Sequence, residues 1–218
     1  MAATSGGRSL QAAGSEQASN VEPRQAIVEA TIEIMREEGY AAVSSRRIAA
    51  HAGLKSKLVH YYFKTMDELF LAVYKRIEDE HFRRLTQALA AREPLRAIWQ
   101  LNMDSTDTRM VLELTALANH RKVLRAEIAR ASERFRLLQA AVFEREVAER
   151  GGADNRLPPM VVSVIALALS RLLAMDNVLG VSGGHAETLS WIDTFLLRVE
   201  REQLVSTGPT DIPMRGEQ

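Results

Sequence analysis

The fold of this 218-residue chain is decided by residues 44–64, which read SSRRIAAHAGLKSKLVHYYFK. Ser44 is a favourable N-cap, because its side-chain oxygen can accept a hydrogen bond from a free backbone amide in the first helical turn. The residues after it predict a short helix that ends near Ala52, with Gly53 forming the turn. A second short helix is predicted over residues 56–62. Two short helices joined by a tight turn have the dimensions of a helix-turn-helix motif.

Positive charge is concentrated in and around these two helices. The whole chain is neutral, with 28 basic and 28 acidic residues, yet residues 44–66 contain five basic residues and no acidic one. The like charges in such a cluster repel one another unless an anion lies opposite them, and the phosphate backbone of a nucleic acid is a common partner. A solvated surface is the other interpretation. The aromatic segment HYYF at residues 60–63 favours phosphate, because Tyr and His side chains donate hydrogen bonds to phosphate oxygens.

The rest of the chain is predicted to be helical on both sides of this motif. Before it, Pro23 opens an amphipathic helix that Gly39 ends. After it, Thr65 and Glu68 form a capping box for a long helix that runs to Ala90. Further helices are predicted over these ranges, with a break at residues 104–107: 94–103, 108–119, 122–150, 158–180 and 186–205. No segment alternates as a strand would, so the predicted fold is all-α, with about nine helices between flexible tails at residues 1–21 and 206–218.

Composition argues against several classes of protein. The chain has no cysteine, which excludes disulfides, thiolate catalysis and Cys-ligated metals. Its five histidines have no metal-ligand spacing, and no nucleophile elbow or phosphate-binding glycine loop is found, so neither an enzyme nor a cofactor or metal site is expected. The most apolar run, from Met160 to Met175, is interrupted by Ser163, Ser170 and Arg171 and predicts a buried helix rather than a membrane span. We expect a cytoplasmic protein without a membrane partner.

Residues 26–72 resemble the DNA-binding domain of the TetR family of one-component transcriptional regulators. The segments that carry the resemblance are Glu38-Gly39-Tyr40, Ser45-Arg46-Arg47-Ile48-Ala49, Ala52-Gly53-Leu54, His60-Tyr61-Tyr62-Phe63-Lys64 and Asp67-Glu68-Leu69. The resemblance implies a three-helix DNA-binding domain over residues 22–66 and a helical domain for effector binding and dimerisation over residues 67–205. The sequence departs from the family pattern at Lys55, where Ser is usual, and at Lys57 and His60. The operator sequence of other family members therefore does not carry over to this protein.

The resemblance also implies which residues act. Those matching DNA-contacting positions are Ser45, Arg46, Arg47, Lys55, Ser56, Lys57, Leu58, His60, Tyr61 and Lys64. The predicted effector-pocket residues, on the helices where this family encloses its ligand, are Trp99, Met103, Met110, Leu114, Leu117, His120, Phe135 and Leu138; a solid core is the alternative for them. The predicted dimer interface consists of Val162, Leu169, Leu172, Leu189, Ile192, Phe195, Leu196 and Val199.

Arg171 has two interpretations, because a charge within an apolar helix needs a partner. The favoured one is an ion pair, either with Asp176 or with a carboxylate across a subunit interface. The other is an anchor for an anionic ligand.

Together these observations predict a homodimeric, ligand-responsive regulator, a repressor that binds a palindromic double-stranded operator. A mainly hydrophobic small molecule with one or two polar groups is expected to release it from DNA. The alternative from a different class is a helical ligand-binding or scaffold protein without DNA-binding activity.

Overall fold

The computed structural model describes residues 22–148 and 157–206, and within these ranges it leaves the side chains of residues 105–108, 147–148 and 197–206 undescribed. These parts of the chain contain nine α-helices, one short 3-10 helix at Tyr40–Ala42 and no strand, which confirms the predicted all-α fold. The helices are α1 Pro23–Glu38, α2 Ser45–His51, α3 Ser56–Tyr62, α4 Met66–Leu89, α5 Pro94–Asn102, α6 Ser105–Ala118, α7 Lys122–Ala148, α8 Pro159–Leu179 and α9 His185–Ser206. The predicted tails at residues 1–21 and 206–218 lie outside the described residues, except for Ser206, which is the last residue of α9.

The chain divides into two compact units, Met1–Leu69 and Phe70–Gln218. In the first unit α1, α2 and α3 pack against one another. Ile27 and Ile34 of α1, Ile48 of α2 and Val59 of α3 are almost completely buried. Burying one apolar side chain of this size contributes roughly 1.5–3 kcal/mol to the stability of the fold. These contacts therefore hold together helices that are too short to be stable alone.

The turn between α2 and α3 has the predicted caps. The Ser44 hydroxyl accepts a hydrogen bond from the Arg47 amide at 3.3 Å, at the start of α2. At its end, Gly53 adopts φ +65°, a left-handed conformation that glycine adopts without strain. The Leu54 amide then donates to the Ala49 carbonyl at 2.8 Å, which returns the chain toward α3. The two helices therefore form the predicted helix-turn-helix.

The second unit packs α4, α5, α7, α8 and α9 around a core of buried apolar side chains. Each helix contributes one or more residues to it, among them Leu85, Ile98, Phe135, Leu167 and Ile192. The interface between α7 and α8 is the most extensive in the unit.

One predicted boundary is wrong. The break expected over residues 104–107 is much shorter, because α5 ends at Asn102 and α6 already begins at Ser105. Asp104 between them accepts a hydrogen bond from Arg84 at 2.7 Å. The four polar residues in sequence suggested a loop, but Ser and Asp are equally favourable in the first turn of a helix.

The start of α4 has the expected partners with one difference. The Glu68 amide donates to the Thr65 hydroxyl at 3.1 Å, as a capping box requires. The Glu68 carboxylate, however, accepts from the Lys64 amide at 2.8 Å, one residue before the N-cap. The two side chains together satisfy backbone amides that the helix leaves free.

Replacing Thr65 with alanine should lower the free energy of unfolding by about 1 kcal/mol, because the Glu68 amide loses its acceptor. Urea denaturation measures the change. Thr65→Ser keeps the hydroxyl and serves as the control, with stability close to that of the unmodified protein. Equal destabilisation by both variants would contradict a capping role for the hydroxyl.

Candidate functional site

The helix-turn-helix exposes a basic surface formed by Arg46, Lys55 and Lys57. All three side chains are exposed, and within the described part of the chain none has a carboxylate partner. Ser56, next to them, is also exposed, whereas Ser45 and Leu58 are half-buried. This surface can bind an anion without first breaking an ion pair.

Arg47 differs from its neighbours, because its guanidinium forms an ion pair with Glu38. The hydrogen bond to Glu38 and the charge of that carboxylate raise the pKa of Arg47. Both side chains remain exposed, so the pair contributes little to stability. Arg47 is still a predicted DNA contact, but its charge is already partly neutralised within the molecule.

The end of α3 carries an exposed aromatic and basic cluster. Tyr61 is 68% exposed, and its ring meets that of Tyr62 edge-on with centroids 5.1 Å apart. The Lys64 ammonium lies 5.5 Å from the Tyr61 ring centroid and donates to the Tyr61 carbonyl at 3.2 Å. His60 is exposed, whereas Phe63 is buried beneath the Arg24 guanidinium. His60, Tyr61 and Lys64 thus remain accessible to a ligand.

The second unit contains a cavity of about 320 Å³ enclosed by α4 to α8. Most of its wall is apolar, and the polar groups come from every one of these five helices. It is lined by Tyr74, Ile77, Glu78, His81, Phe82, Leu101, Asn102, Val111, Leu114, Thr115, Ile128, Ala131, Ser132, Phe135, Arg136, Leu167, Ser170 and Arg171.

Only part of the predicted effector pocket lies at this cavity. Leu114 and Phe135 line it. The other predicted pocket residues lie elsewhere: Met110 and Leu117 are buried, Trp99, Met103 and Leu138 are half-buried, and His120 is exposed. The prediction overlooked α4, although Tyr74, Glu78 and His81 follow one another at helical spacing and form a polar stripe on a half-buried helix.

Two buried side-chain amides are hydrogen-bonded to each other beside the cavity. The Gln139 side-chain amide donates to Asn102 Oδ1 at 3.1 Å, and the Ser163 hydroxyl lies 3.4 Å from Gln139 Oε1, to which it can donate. These bonds fix the orientation of the Asn102 amide. Asn102 Nδ2 is buried and has no hydrogen-bond partner among the described residues.

On the side of the cavity formed by Tyr74, the one negative charge is balanced by a positive one. Glu78, whose side chain is only 9% exposed, pairs with Arg130 at 3.1 Å. Burial, with a further contribution from the Glu78 charge, raises the pKa of the Tyr74 phenol, which is therefore neutral. The His81 ring packs against Phe135 with centroids 4.5 Å apart.

The expected ion pair between Arg171 and Asp176 does not form. Asp176 instead lies 3.3 Å from His185 Nε2. Asp176 lies five residues after Arg171, about 1.4 helical turns away, and Arg171 lines the cavity together with Arg136. The cavity wall desolvates its guanidinium and, together with the charge of Arg136, lowers the pKa of Arg171, although part of the side chain is exposed in the single chain.

Helices α8 and α9 each expose large apolar side chains. On α8 they recur at helical spacing, and on α9 the Trp191 and Phe195 rings stack with centroids 5.4 Å apart. The exposed residues in these stripes are Val161, Val164, Ile165, Leu172, Met175, Leu179, Trp191 and Phe195.

The predicted interface residues divide between this surface and the core. Leu172 and Phe195 are exposed, and Leu189 is half-buried. Ile192 and Leu196 are buried in the core of the unit. Val162 and Leu169 are half-buried against that core, and the side chain of Val199 lies outside the described residues.

Helix α8 corresponds to the apolar helix predicted over residues 158–180. It has 21 residues and, by length and composition alone, could cross a membrane. Ser163 and Ser170 are nevertheless completely buried within the unit. Among the side chains that the structure describes, no group of His, Asp and Glu could hold a metal ion.

These features define the chain as an all-helical protein with an N-terminal helix-turn-helix domain and a second helical unit that encloses a cavity. Residues 27–73 match the model of the bacterial regulatory proteins of the tetR family. This stretch, which contains the helix-turn-helix, is therefore similar to the N-terminal domain of tetR-family regulators.

A characterised protein matches part of the chain as well. The nicotine-responsive transcriptional repressor HdnoR of Paenarthrobacter nicotinovorans is 33% identical over 101 residues, which cover 46% of this chain and 52% of that protein. This chain thus matches about half the length of its curated relative.

Two solved structures share the fold. A TetR-family transcriptional regulator from Rhodococcus sp. superposes with a TM-score of 0.65 at 20% identity, over 83% of this chain and 98% of that one. A transcriptional regulator from Saccharomonospora viridis, solved in complex with choline, gives a TM-score of 0.66 at 19% identity, over 74% and 88% of the two chains. Identities this low relate the folds alone.

Replacing Gln139 with methionine should lower the free energy of unfolding by about 1–3 kcal/mol, because Asn102 Oδ1 is left buried without a donor while the side-chain volume hardly changes. Urea denaturation measures the loss. Adding Asn102→Leu removes the orphaned acceptor, so the double variant should recover part of the stability. Strictly additive losses would contradict coupling between the two amides.

Proposed function

We propose that this protein is a transcriptional repressor that binds a palindromic DNA operator as a homodimer and leaves it when a small-molecule effector binds. The observation that carries the proposal is the exposed basic surface of α2 and α3 within a domain of the TetR family. The 33% identity to a transcriptional repressor favours repression over activation. The cytoplasm is the corresponding location, and no catalytic activity is needed.

The α3 helix is the recognition helix in this proposal. Ser56, Lys57 and Leu58 in its first turn would meet base edges in the major groove, together with Arg46 from α2. Ser45, Lys55, His60, Tyr61 and Lys64 would contact phosphates, which position the domain without reading sequence. Arg47 would reach a phosphate only by leaving Glu38.

The cavity supplies the effector site. It is large enough for a small organic molecule, and its wall is mostly apolar with a few polar groups, as is typical of ligand pockets. Helix α4 begins in the DNA-binding unit at Met66, and its residues 74–82 line the cavity. A ligand that prefers one position of α4 would shift the spacing of the two recognition helices in the dimer. A hundredfold preference corresponds to about 2.7 kcal/mol.

The exposed stripes of α8 and α9 provide the dimer interface. A soluble protein rarely leaves so many large apolar side chains exposed on two helices, and contact with a second copy would cover them. Two helices from each subunit would form a four-helix interface about a twofold axis, which matches the twofold symmetry of a palindromic operator. A membrane is not favoured as the partner, because α8 also buries Ser163 and Ser170 and carries Arg171 at the cavity.

The alternative of a helical ligand-binding or scaffold protein without DNA binding is not favoured. It would not explain why residues 27–73 match a family of regulatory proteins, or why that domain exposes basic side chains without carboxylate partners among the described residues.

Alanine at Arg46 or Lys57 should each weaken binding to the best duplex selected from a random library by about 1–3 kcal/mol and relax preference at one base pair. Lys64→Ala should instead weaken all duplexes alike and reduce the dependence of affinity on salt concentration. Fluorescence anisotropy over a range of salt concentrations separates the two effects. Unchanged binding by the Arg46→Ala, Lys57→Ala double variant would refute the assignment.

Glutamate at Leu172 or Phe195 should produce folded monomers with weak operator binding, because each side chain is nearly half exposed and lies on a proposed interface helix. Sedimentation velocity at micromolar concentration measures the change, and circular dichroism verifies folding. Val123→Glu adds the same charge at an exposed apolar position on α7 and should leave the dimer intact. A monomeric unmodified protein would overturn the proposed interface.

A further inference from the structure

We propose that the cavity between α4 and α8 binds an amphipathic organic anion, a carboxylate carried on an apolar body. The proposal rests on the proposed function, since it names the chemical class of the effector. The carboxylate would lie against Arg136, Arg171 and Asn102, and the apolar body against Leu114, Phe135 and Leu167.

Two arginines supply the positive charge. Arg136 on α7 and Arg171 on α8 both line the cavity, and in the described part of the chain neither is paired with a carboxylate. Their mutual repulsion contributes to the lowered pKa of Arg171. Two guanidinium groups that share one mostly apolar cavity are stabilised by an anion between them, and charge-assisted hydrogen bonds to arginine are among the strongest in proteins.

Asn102 supplies an independent indication. It is 8% exposed, it lines the cavity, and its Nδ2 has no hydrogen-bond partner among the described residues. Gln139 donates a hydrogen bond to Asn102 Oδ1. The amide is therefore oriented with its Nδ2 donor, and not its acceptor, unsatisfied. A buried donor without a partner is costly. An acceptor on the ligand would remove this cost.

Among the described residues that line the cavity, one carboxylate is present, and it does not offset these donors. Glu78 lines the cavity but pairs with Arg130 at 3.1 Å, so its charge is already balanced. Tyr74 beside it is a neutral phenol, and Ser132, Ser170 and Thr115 are neutral hydroxyls. The net charge offered to a ligand is therefore positive, which disfavours a quaternary ammonium such as the choline bound by the Saccharomonospora viridis regulator.

The test compares ligands that share a body and differ in the head group. One series is 4-phenylbutyrate, 4-phenylbutanol and 4-phenylbutylamine, and the other is decanoate, decanol and decylamine. Isothermal titration calorimetry with the full chain should show that at least one carboxylate binds about tenfold or more tightly than its own alcohol and amine. Its affinity should fall with added salt, because the attraction is partly electrostatic.

Variants locate the anion site. Arg136→Gln and Arg171→Gln should each weaken carboxylate binding about tenfold or more, as expected for loss of a charged hydrogen bond, while the alcohol changes less than about twofold. Arg171→Lys should retain part of the affinity. Arg109→Gln, at an exposed position on α6 outside the cavity lining, is the control and should bind as the unmodified protein does. Thermal unfolding verifies that every variant folds.

Two outcomes overturn the proposal. One is that neither carboxylate binds in the millimolar range, or that an amine or choline binds more tightly. The other is that Arg136→Gln and Arg171→Gln bind the carboxylate as Arg109→Gln does. Operator release is measured separately: a carboxylate that binds through these arginines without changing DNA affinity supports the anion site and refutes effector-driven release.

Discussion

Helix α8 has to bury two sides at once, and the arrangement of the second unit follows from this constraint. One side packs on α5, α6 and α7 through Leu167 and Leu173 and through the completely buried hydroxyls of Ser163 and Ser170. The other side carries exposed apolar residues that a single chain does not cover. The same helix therefore closes the cavity and carries the surface that we propose contacts a second copy. Ser170 and Arg171 therefore lie within one helical turn of both the cavity and the exposed apolar surface.

The first unit meets a different constraint. Helices α2 and α3 have seven residues each, which is too few for a stable isolated helix. Their geometry depends on the caps at Ser44 and Gly53 and on the buried side chains that face α1. Local sequence determines the caps, and packing against α1 holds the two helices in place. The exposed residues take part in neither, so they are free to carry unpaired positive charge.

This difference explains how far the sequence predicts the structure. The bounds of α3 and the cap at Ser44 were predicted correctly, because capping and helical periodicity act over a few residues. The lining of the cavity was mostly missed. Periodicity tells which side chains of α4 and α7 are buried, but it does not tell which of them meet across a gap. The Arg171–Asp176 pair failed for the same reason, since Asp176 found His185 from the next helix.

The ion pair between Arg47 and Glu38 has a consequence for the thermodynamics of DNA binding. A cation that is free in solution displaces a condensed counterion when it meets a phosphate, and this release favours association. Arg47 would exchange one anionic partner for another, and the abandoned Glu38 would attract a cation from solution. The exchange then releases no net ion. The number of ions released on binding would fall below the number of basic residues at the interface, and Arg47 would add geometric register rather than affinity.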